Sequence, residues 1–162
     1  MQLLSRDFFA QDTLKVAPAL LGKVIKFKNH IAVITEVEAY GGSDDSASHA
    51  FKLTKRSKVM AEKPGFLYVY LIYGMHYCLN FVTAPAGVAG AVLVRAIKIG
   101  AKDIVGPGRV TNALGIDLSY NNTDLMSYPD FAVYDDNITV TIKTSARIGI
   151  SKAQDKQWRF FI

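Results

Sequence analysis

The first forty or so residues change from a helical to a strand-like pattern of apolar positions. Between Asp12, which is suited to cap a helix, and Gly22, which is suited to end one, apolar residues recur at helical spacing. The apolar face of this predicted helix comprises Leu14, Ala17, Pro18 and Leu21. The period then becomes two, which predicts strands at Val24–Lys28 and Ile31–Tyr40 with a tight turn at Asn29–His30.

Further strands are predicted downstream, with one helix among them. The helix is opened by Gly106-Pro107-Gly108, runs through Leu114 and stops at Gly115. The strands are Leu67–Ile72, Tyr77–Thr83, Ala91–Lys98, Phe131–Tyr134, Ile138–Thr144 and Trp158–Ile162. Most strands follow one another directly, which favours a curved, mainly antiparallel sheet with a few flanking helices. The predicted fold class is therefore α+β, and a length of 162 residues suits a single domain over 1–162.

The apolar stretch Phe66–Val82 raises the alternative of a membrane-spanning helix, because no Asp, Glu, Lys or Arg occurs between Lys63 and Arg95. The stretch nevertheless contains four tyrosines, Asn80 and a helix-breaking Gly74 near its middle. Two buried strands joined by a turn fit this pattern better, so we expect no membrane association.

Composition adds a moderate excess of positive charge. Lys and Arg total 19 against 14 Asp and Glu, a net charge of +5, which permits a polyanionic partner without requiring one. The one cysteine, Cys78, cannot form an intramolecular disulfide and indicates a reducing, cytoplasmic location. The first residues, Met1 to Asp7, contain no basic region followed by an apolar one, so we expect no secretory signal.

The histidines and glycines predict neither a metal site nor a bound cofactor. His30, His49 and His76 have no His or Cys partner at ligand spacing. Neither a Walker motif nor Gly-x-Gly-x-x-Gly occurs in the chain. We therefore expect the chemistry to need no cofactor.

Two carboxylates, Glu36 and Glu38, stand two positions apart on the strand Ile31–Tyr40. Alternation predicts a polar face of Ile34, Glu36, Glu38 and Tyr40, and a core face of Ile31, Val33, Val37 and Ala39. Paired carboxylates can divide acid and base roles, although spacing alone favours a solvated strand face. Glu38 gains weight from its position where the strand meets the Gly41-Gly42 loop.

Aromatic side chains form a second group of candidates, which comprises Tyr40, His49, Tyr70 and Tyr73. Flat rings can sandwich an extruded purine, although core packing explains any single tyrosine better. Tyr73 begins the turn that ends at His76, and beside Met75 it could act as a wedge between base pairs. For Tyr73, the wedge and the buried alternative are equally supported by the pattern.

Two basic positions need a partner. Arg95 lies inside an apolar strand, where it either reaches a carboxylate such as Glu38, reaches a phosphate, or faces solvent on an edge strand. The segment Gly106–Arg109 precedes a helix, so its glycines could expose N–H groups to a phosphate. An ordinary turn into a helix explains that segment equally well.

Taken together, these residues resemble the alkyladenine (3-methyladenine) DNA glycosylase family. The resemblance runs in order and spacing over nearly the whole chain. The matching blocks are Thr35–Tyr40, His49, Lys63–Gly65, Tyr68–His76 with Asn80, Leu93–Ala96, and Gly106–Gly108 with Ala113–Ile116. The chain departs from the family in a shorter segment after the Arg95 strand, where only Ile97–Val105 precedes Gly106.

The resemblance implies a monofunctional enzyme of base excision repair that acts on double-stranded DNA with damaged purines. It would flip out alkylated or deaminated purines and hydrolyse the N-glycosidic bond, without a cofactor, and we expect a monomer. The resemblance implies that Glu38, with Arg95, activates the water. It implies a base pocket of Tyr40, His49, Tyr70 and Asn80, in which Asn80 clashes with the 2-amino group of guanine. It also implies intercalation by Tyr73 and Met75 and DNA backbone contacts from Arg56, Gly108 and Arg109.

Two other functions account for part of the same pattern. A non-catalytic nucleic-acid-binding module would use the basic loops and the aromatic turn, but a carboxylate at Glu38 would repel phosphates. An enzyme that acts on a small nucleoside would have little use for Tyr73 or for the basic segment Lys52 to Lys58.

Overall fold

The computed structural model describes residues 1–162, and one curved sheet of ten strands, all paired antiparallel, dominates it. The strands are β1 (Gln2–Leu3), β2 (Val24–Phe27), β3 (His30–Tyr40), β4 (Leu67–Ile72), β5 (His76–Val82), β6 (Ala91–Ile99), β7 (Lys102–Val105), β8 (Phe131–Asp135), β9 (Lys143–Ser145) and β10 (Arg159–Phe161). The helices are α1 (Arg6–Phe9), α2 (Thr13–Ala19) and α3 (Pro107–Leu114), with 3-10 turns at Lys58–Ala61 and Leu118–Tyr120.

Strand β3 organises the sheet. One of its edges pairs with β2 along its first half and with β10 along its second half, while the other edge pairs with β6. The order is β1-β8-β2-β3-β6-β5-β4, with β7 added to β6 and β9 added to β10. The predicted α+β class, with a mainly antiparallel sheet and few helices, is confirmed.

Two apolar clusters support the sheet. The larger contains 25 buried residues, among them Phe9, Phe27, Phe81 and Phe131, and it packs the helices against the strands. The smaller contains six buried residues, including Tyr68 and Met60, and Tyr40 and Tyr70 pack against it. Each large side chain buried in such a cluster stabilises the fold by roughly 1.5–3 kcal/mol. The smaller cluster therefore supports Tyr40 and Tyr70, which pack against it.

Most predicted elements are confirmed within a residue or two. Helix α2 begins as predicted, because the Asp12 carboxylate accepts a 2.8 Å hydrogen bond from the Leu14 N–H. Helix α3 ends as predicted at Gly115, which adopts the left-handed conformation with φ of 71°. The predicted apolar face of α2 is wrong at Leu14, which is exposed, whereas Val16 and Leu20 are buried.

The uncharged stretch Phe66–Val82 forms the hairpin of β4 and β5, as predicted. The structure contains no helix with the length and apolar character that crossing a membrane requires.

The strand predicted at Ile138–Thr144 is wrong except at its last two residues, which belong to β9. A Cβ placed at Gly22 would lie 3.2 Å from Val140 and 3.5 Å from the Ile138 side chain, so the segment lies directly over Gly22. Val140 and Ile138 cover Gly22 in the loop after α2, whereas the Ile138 and Ile142 side chains are exposed, and residues 138–142 pair with no strand. Strand β7 and the short elements β1 and α1 were not predicted, because each carries too few alternating positions.

Irregular pairing between β3 and β6 overturns the predicted faces in the first half of β3, whereas Val37 and Ala39 in the second half are core residues as predicted. The register moves from Ile34 opposite Ile97 to Glu36 opposite Ala96, and then to Val37 opposite Val94. As a result Ile34 is fully buried, although strict alternation placed it on the polar face, and Ile31, predicted as core, is 58% exposed. Arg95 is the residue skipped on β6, and such irregularities re-aim a side chain.

Candidate active site

A cavity of about 680 Å³ opens where the ends of β3, β4, β5 and β6 meet the start of α3. This volume falls within the usual range for small-molecule sites, roughly 300–1,000 Å³. Eight of the predicted site residues line it: Tyr40, His49, Tyr70, Tyr73, Asn80, Arg95, Gly108 and Arg109. Of the remaining three, Glu38 lies behind the wall, Met75 lines an adjoining groove, and Arg56 lies over the Tyr70 ring at 5.8 Å.

Glu38 is a completely buried carboxylate, so the solvated-face alternative is wrong for it. Its Oε2 accepts a 2.9 Å hydrogen bond from the Tyr40 hydroxyl, and its Oε1 accepts a 2.8 Å hydrogen bond from the Ile148 N–H. Arg95 Nη1 lies 3.4 Å from the same Oε1. Burial raises the pKa of Glu38, and the charge of Arg95 and the Ile148 N–H offset only part of this effect.

Glu36 joins two arginines beside Glu38. Its Oε1 accepts from Arg95 Nε at 3.0 Å and from Arg159 Nε at 2.6 Å. Arg95 therefore lies on an interior strand between two carboxylates, and the solvent-facing alternative is wrong. Glu36 is itself buried, with 7% exposure, so it is a structural anion that holds both guanidinium groups.

An aromatic wall stands above the carboxylates. The His49 ring lies 4.5 Å from the Tyr70 ring, centroid to centroid, and His49 Nδ1 lies 3.0 Å from the Tyr68 hydroxyl. Partial burial lowers the pKa of His49, and the charge of Arg56 adds to this, so the imidazole is neutral near neutral pH. Burial and the charge of Glu38 raise the pKa of Tyr40, which keeps its hydroxyl protonated as the donor to Glu38.

The turn between β4 and β5 projects away from the body of the protein. Tyr73 is 84% exposed and Met75 is 69% exposed, so the buried alternative for Tyr73 is wrong. Tyr73 and Gly74 both have positive φ, 52° and 66°, which is the backbone pattern of a type I′ hairpin turn. The turn thus presents a tyrosine ring at the mouth of the cavity.

The floor and the helix side of the cavity are fixed by backbone contacts. Asn80 is buried and donates through Nδ2 to the carbonyl oxygen of Tyr68 at 3.1 Å. The Gly106 N–H donates to the carbonyl oxygen of Arg95 at 2.8 Å, which ties the start of α3 to β6. Gly108 lies so close to His76 that a Cβ there would be 3.0 Å from it, so a side chain at this position would crowd the cavity.

Sequence reasoning missed a third side of the cavity, formed by residues 148–152 after β9. It also missed Arg147, whose guanidinium forms a fully buried pair with Asp45. No local pattern marks these residues, because Asp45 and Arg147 meet only through the tertiary fold. The exposed Lys152 lies in the same segment and lines the cavity.

The site therefore has the parts of a hydrolase for a flat, aromatic substrate: a buried carboxylate, an arginine beside it and an aromatic-walled cavity next to a projecting ring. The chain matches the family model described as methylpurine-DNA glycosylase over residues 7–162. Three curated relatives have names that contain the words 3-methyladenine DNA glycosylase.

The relatives cover the chain almost completely. The protein of Rickettsia felis is 45% identical over 164 residues, which span 99% of this chain and 93% of the relative. The protein of Ehrlichia ruminantium (strain Welgevonden) is 46% identical over 167 residues, 99% of this chain and 89% of the relative. The protein of Wolbachia sp. subsp. Brugia malayi is 47% identical over 165 residues, 99% of this chain and 98% of the relative.

The chain belongs to the methylpurine-DNA glycosylase family. It is a DNA glycosylase, a hydrolase that acts on N-glycosyl bonds in DNA repair, and DNA is its substrate. The predicted family and class of activity are confirmed, and the alternative of a non-catalytic binding module is set aside.

Proposed function

We propose that this chain excises alkylated or deaminated purines from double-stranded DNA, with Glu38 as the base that activates water. The observation that carries the proposal is the fully buried Glu38 carboxylate directly behind the cavity, between Arg95 and Tyr40. A base whose pKa lies nearer the working pH accepts a proton more readily, and burial raises the pKa of Glu38 in this direction.

The aromatic wall supports binding of a purine. A purine alkylated at N3 or N7 carries positive charge, and stacking on Tyr40 and Tyr70 adds a cation–π contribution of about 1–2 kcal/mol. His49 faces the same space with a neutral ring, as a partner for the base edge or the sugar-phosphate. Asn80 is fixed by its hydrogen bond to the carbonyl oxygen of Tyr68 and excludes guanine, because its side chain clashes with the 2-amino group of that base.

The projecting turn supports extrusion of the base. Flipping a nucleotide costs a few kcal/mol, and less for a damaged pair, which itself favours lesions. Tyr73 fills the gap left in the duplex, and Met75 lies beside it. Arg56, Gly108 and Arg109 hold the flanking phosphates, the last two at the start of α3.

The reaction requires water to reach Glu38 through the layer that Arg95 and Tyr40 form. Each carboxylate oxygen has two acceptor sites, and Oε2 uses one for the Tyr40 hydroxyl, which leaves one for water. As the bond from C1′ to the base nitrogen breaks, its electron pair leaves with the base. Glu38 stabilises the cationic sugar and takes a proton from water, and the hydroxyl oxygen bonds to C1′.

The products are a free base and an abasic site in an intact strand, because water and not a lysine is the nucleophile. The test uses duplexes that each contain one hypoxanthine or one ethenoadenine, neither of which carries a 2-amino group, assayed for strand breaks with and without alkali. Breaks that require both the lesion and alkali are expected. Breaks without alkali would point to Schiff-base chemistry by Lys152, and no breaks at any lesion would contradict the proposal.

A further inference from the structure

A buried arginine that the proposed reaction does not use lies directly behind the cavity wall. Arg147 has a fully buried side chain and forms a bidentate pair with Asp45, Nη1 to Oδ2 at 2.6 Å and Nη2 to Oδ1 at 2.8 Å. Its guanidinium carbon lies 4.7 Å from the centre of the Tyr40 ring and 5.0 Å from that of Trp158. These contacts fix both the position and the orientation of the guanidinium group.

Two further contacts connect this arginine to the strand that carries Glu38. Arg147 Nη1 donates to the carbonyl oxygen of Ala39 at 3.0 Å. The peptide N–H that follows Arg147 belongs to Ile148, and it donates to Glu38 Oε1 at 2.8 Å. The Ile148 side chain is 48% exposed, so packing of that side chain does not hold the peptide in place. Arg147, the fully buried residue directly before this N–H, therefore holds it in place together with the pairing of β9 with β10 that ends at Ser145.

Asp45 holds the opposite side of the same unit. Its Oδ2 also accepts from the Gly41 N–H at 2.9 Å, and its Oδ1 from the Ala47 N–H at 3.2 Å. Burial disfavours the charged carboxylate, but the hydrogen bonds from Arg147 and Gly41 hold the pKa of Asp45 below its usual value. The loop shaped by these contacts leads into His49, so one ion pair joins two walls of the cavity.

We infer that Arg147 and Asp45 are positioning residues of the active site, whose pairing keeps the Ile148 N–H on the carboxylate of Glu38. The inference rests on the proposed role of Glu38 as the base. A hydrogen bond from an N–H group favours the ionised form of a carboxylate, so this contact sets the pH at which the base is available.

Other charged and titratable groups also face Glu38, and a change at Arg147 leaves them in place. They are Tyr40 and Glu36 on β3, Cys78 on β5, Arg95 on β6 and, in register across the sheet, Arg159 on β10. The Ile148 N–H lowers the pKa of Glu38, so its loss raises that pKa further.

The test measures single-turnover base release against pH on a duplex with one hypoxanthine. Ile148→Pro removes the N–H itself, and Ile148→Ala is the matched control, because it keeps the N–H and changes only an exposed side chain. Arg147→Lys keeps the charge but cannot reproduce the bidentate pair and the bond to Ala39 together. Asp45→Asn weakens the same ion pair from its other side and should also release the Ile148 N–H.

We expect Ile148→Pro and Arg147→Lys to move the midpoint of the acidic limb upward by about one pH unit, since a hydrogen bond to a charged group is worth at least this much. At pH values below both midpoints, these variants then release base about tenfold more slowly than wild type, and the difference disappears at higher pH. Ile148→Ala keeps the wild-type midpoint, and any change in its absolute rate reports only the loss of a side chain that lines the cavity. Combining Ile148→Pro with Arg147→Lys adds little, because both act through the same N–H.

A purely structural role for Arg147 predicts a different result. In that case Arg147→Lys and Asp45→Asn lower the fraction of active enzyme at every pH and leave the midpoint unchanged, which overturns the inference. If Arg147→Lys does not fold, an unshifted midpoint in Ile148→Pro has the same meaning. Glu38→Gln on the same duplex tests the role of Glu38 separately from the role of Arg147. Full activity of that variant shows that Glu38 is not the base, whatever the result for Arg147.

Discussion

A substitution at Tyr73 is expected to have opposite effects on the stability of this protein and on its binding of damaged DNA. Its ring is 84% exposed, so it contributes little packing energy, and its backbone has a φ of 52° in the left-handed region. A side chain in that region costs about 1–2 kcal/mol, and asparagine tolerates it much better than tyrosine. We therefore expect Tyr73→Asn to stabilise the fold by about 0.5–1 kcal/mol, a rise in Tm of roughly 1–4 °C.

The same substitution removes the ring that is proposed to fill the gap in the duplex. Stacking of a base on an aromatic side chain is worth about 1–3 kcal/mol, so the Kd for lesion-containing duplex should rise roughly 5- to 150-fold. Thermal unfolding and fluorescence anisotropy measure the two effects, and Tyr73→Phe, which keeps both ring and backbone strain, is the control. A lower Tm in Tyr73→Asn, or an unchanged Kd, would refute the reasoning.

Three further predictions follow from the charged groups. The pKa of Glu38 is raised above its ordinary value of 4.5, so the stability linked to its protonated form is fully present below that value and lost as pH rises through the folded-state pKa. Glu38→Gln should therefore gain in Tm relative to wild type as pH rises above 4.5, at about 1.4 kcal/mol for each unit by which the pKa is raised, and a constant difference in Tm contradicts this. Glu36→Ala leaves two arginines without their shared anion and should cost about 3–5 kcal/mol in denaturant unfolding, whereas a loss below about 1 kcal/mol contradicts the pairing. Arg56→Ala should reduce the slope of log K against log salt by about 0.9 if Arg56 contacts one phosphate, and an unchanged slope excludes that contact.

The sequence predicted the main strands because each carries a long alternating pattern or an uncharged run. It could not predict the irregular pairing of β3 with β6, because strict alternation has no signal for a skipped residue. That irregularity buries Ile34 and aims Arg95 at Glu36 and Glu38, so it decides the geometry of the candidate site. Spacing could pair the two carboxylates but could not assign their different partners.

The remaining part of the site depends on contacts between distant segments. Asp45 and Arg147 are separated by 102 positions, and Arg159 reaches Glu36 across 123. Arg147 lies in no apolar strand pattern of the kind that marked Arg95, so nothing local indicates its burial. Arg159 does lie in the apolar strand Trp158–Ile162, but that pattern does not identify Glu36 as its partner. In the same way, the β-branched residues from Ile138 to Ile142 resemble a strand, and the contact of Val140 and Ile138 with the distant Gly22 has no local signal.

The central claim is that Glu38 carries out base release while other residues bind the lesion. The most direct measurement compares Glu38→Gln with wild type on one duplex containing a single ethenoadenine, recording the Kd and the single-turnover rate of base release. We expect a Kd within about threefold of wild type, since Gln keeps the shape of the side chain, and a loss of rate of at least about 100-fold, the usual minimum for removing a general base. Base release by Glu38→Gln at the wild-type rate would contradict the account.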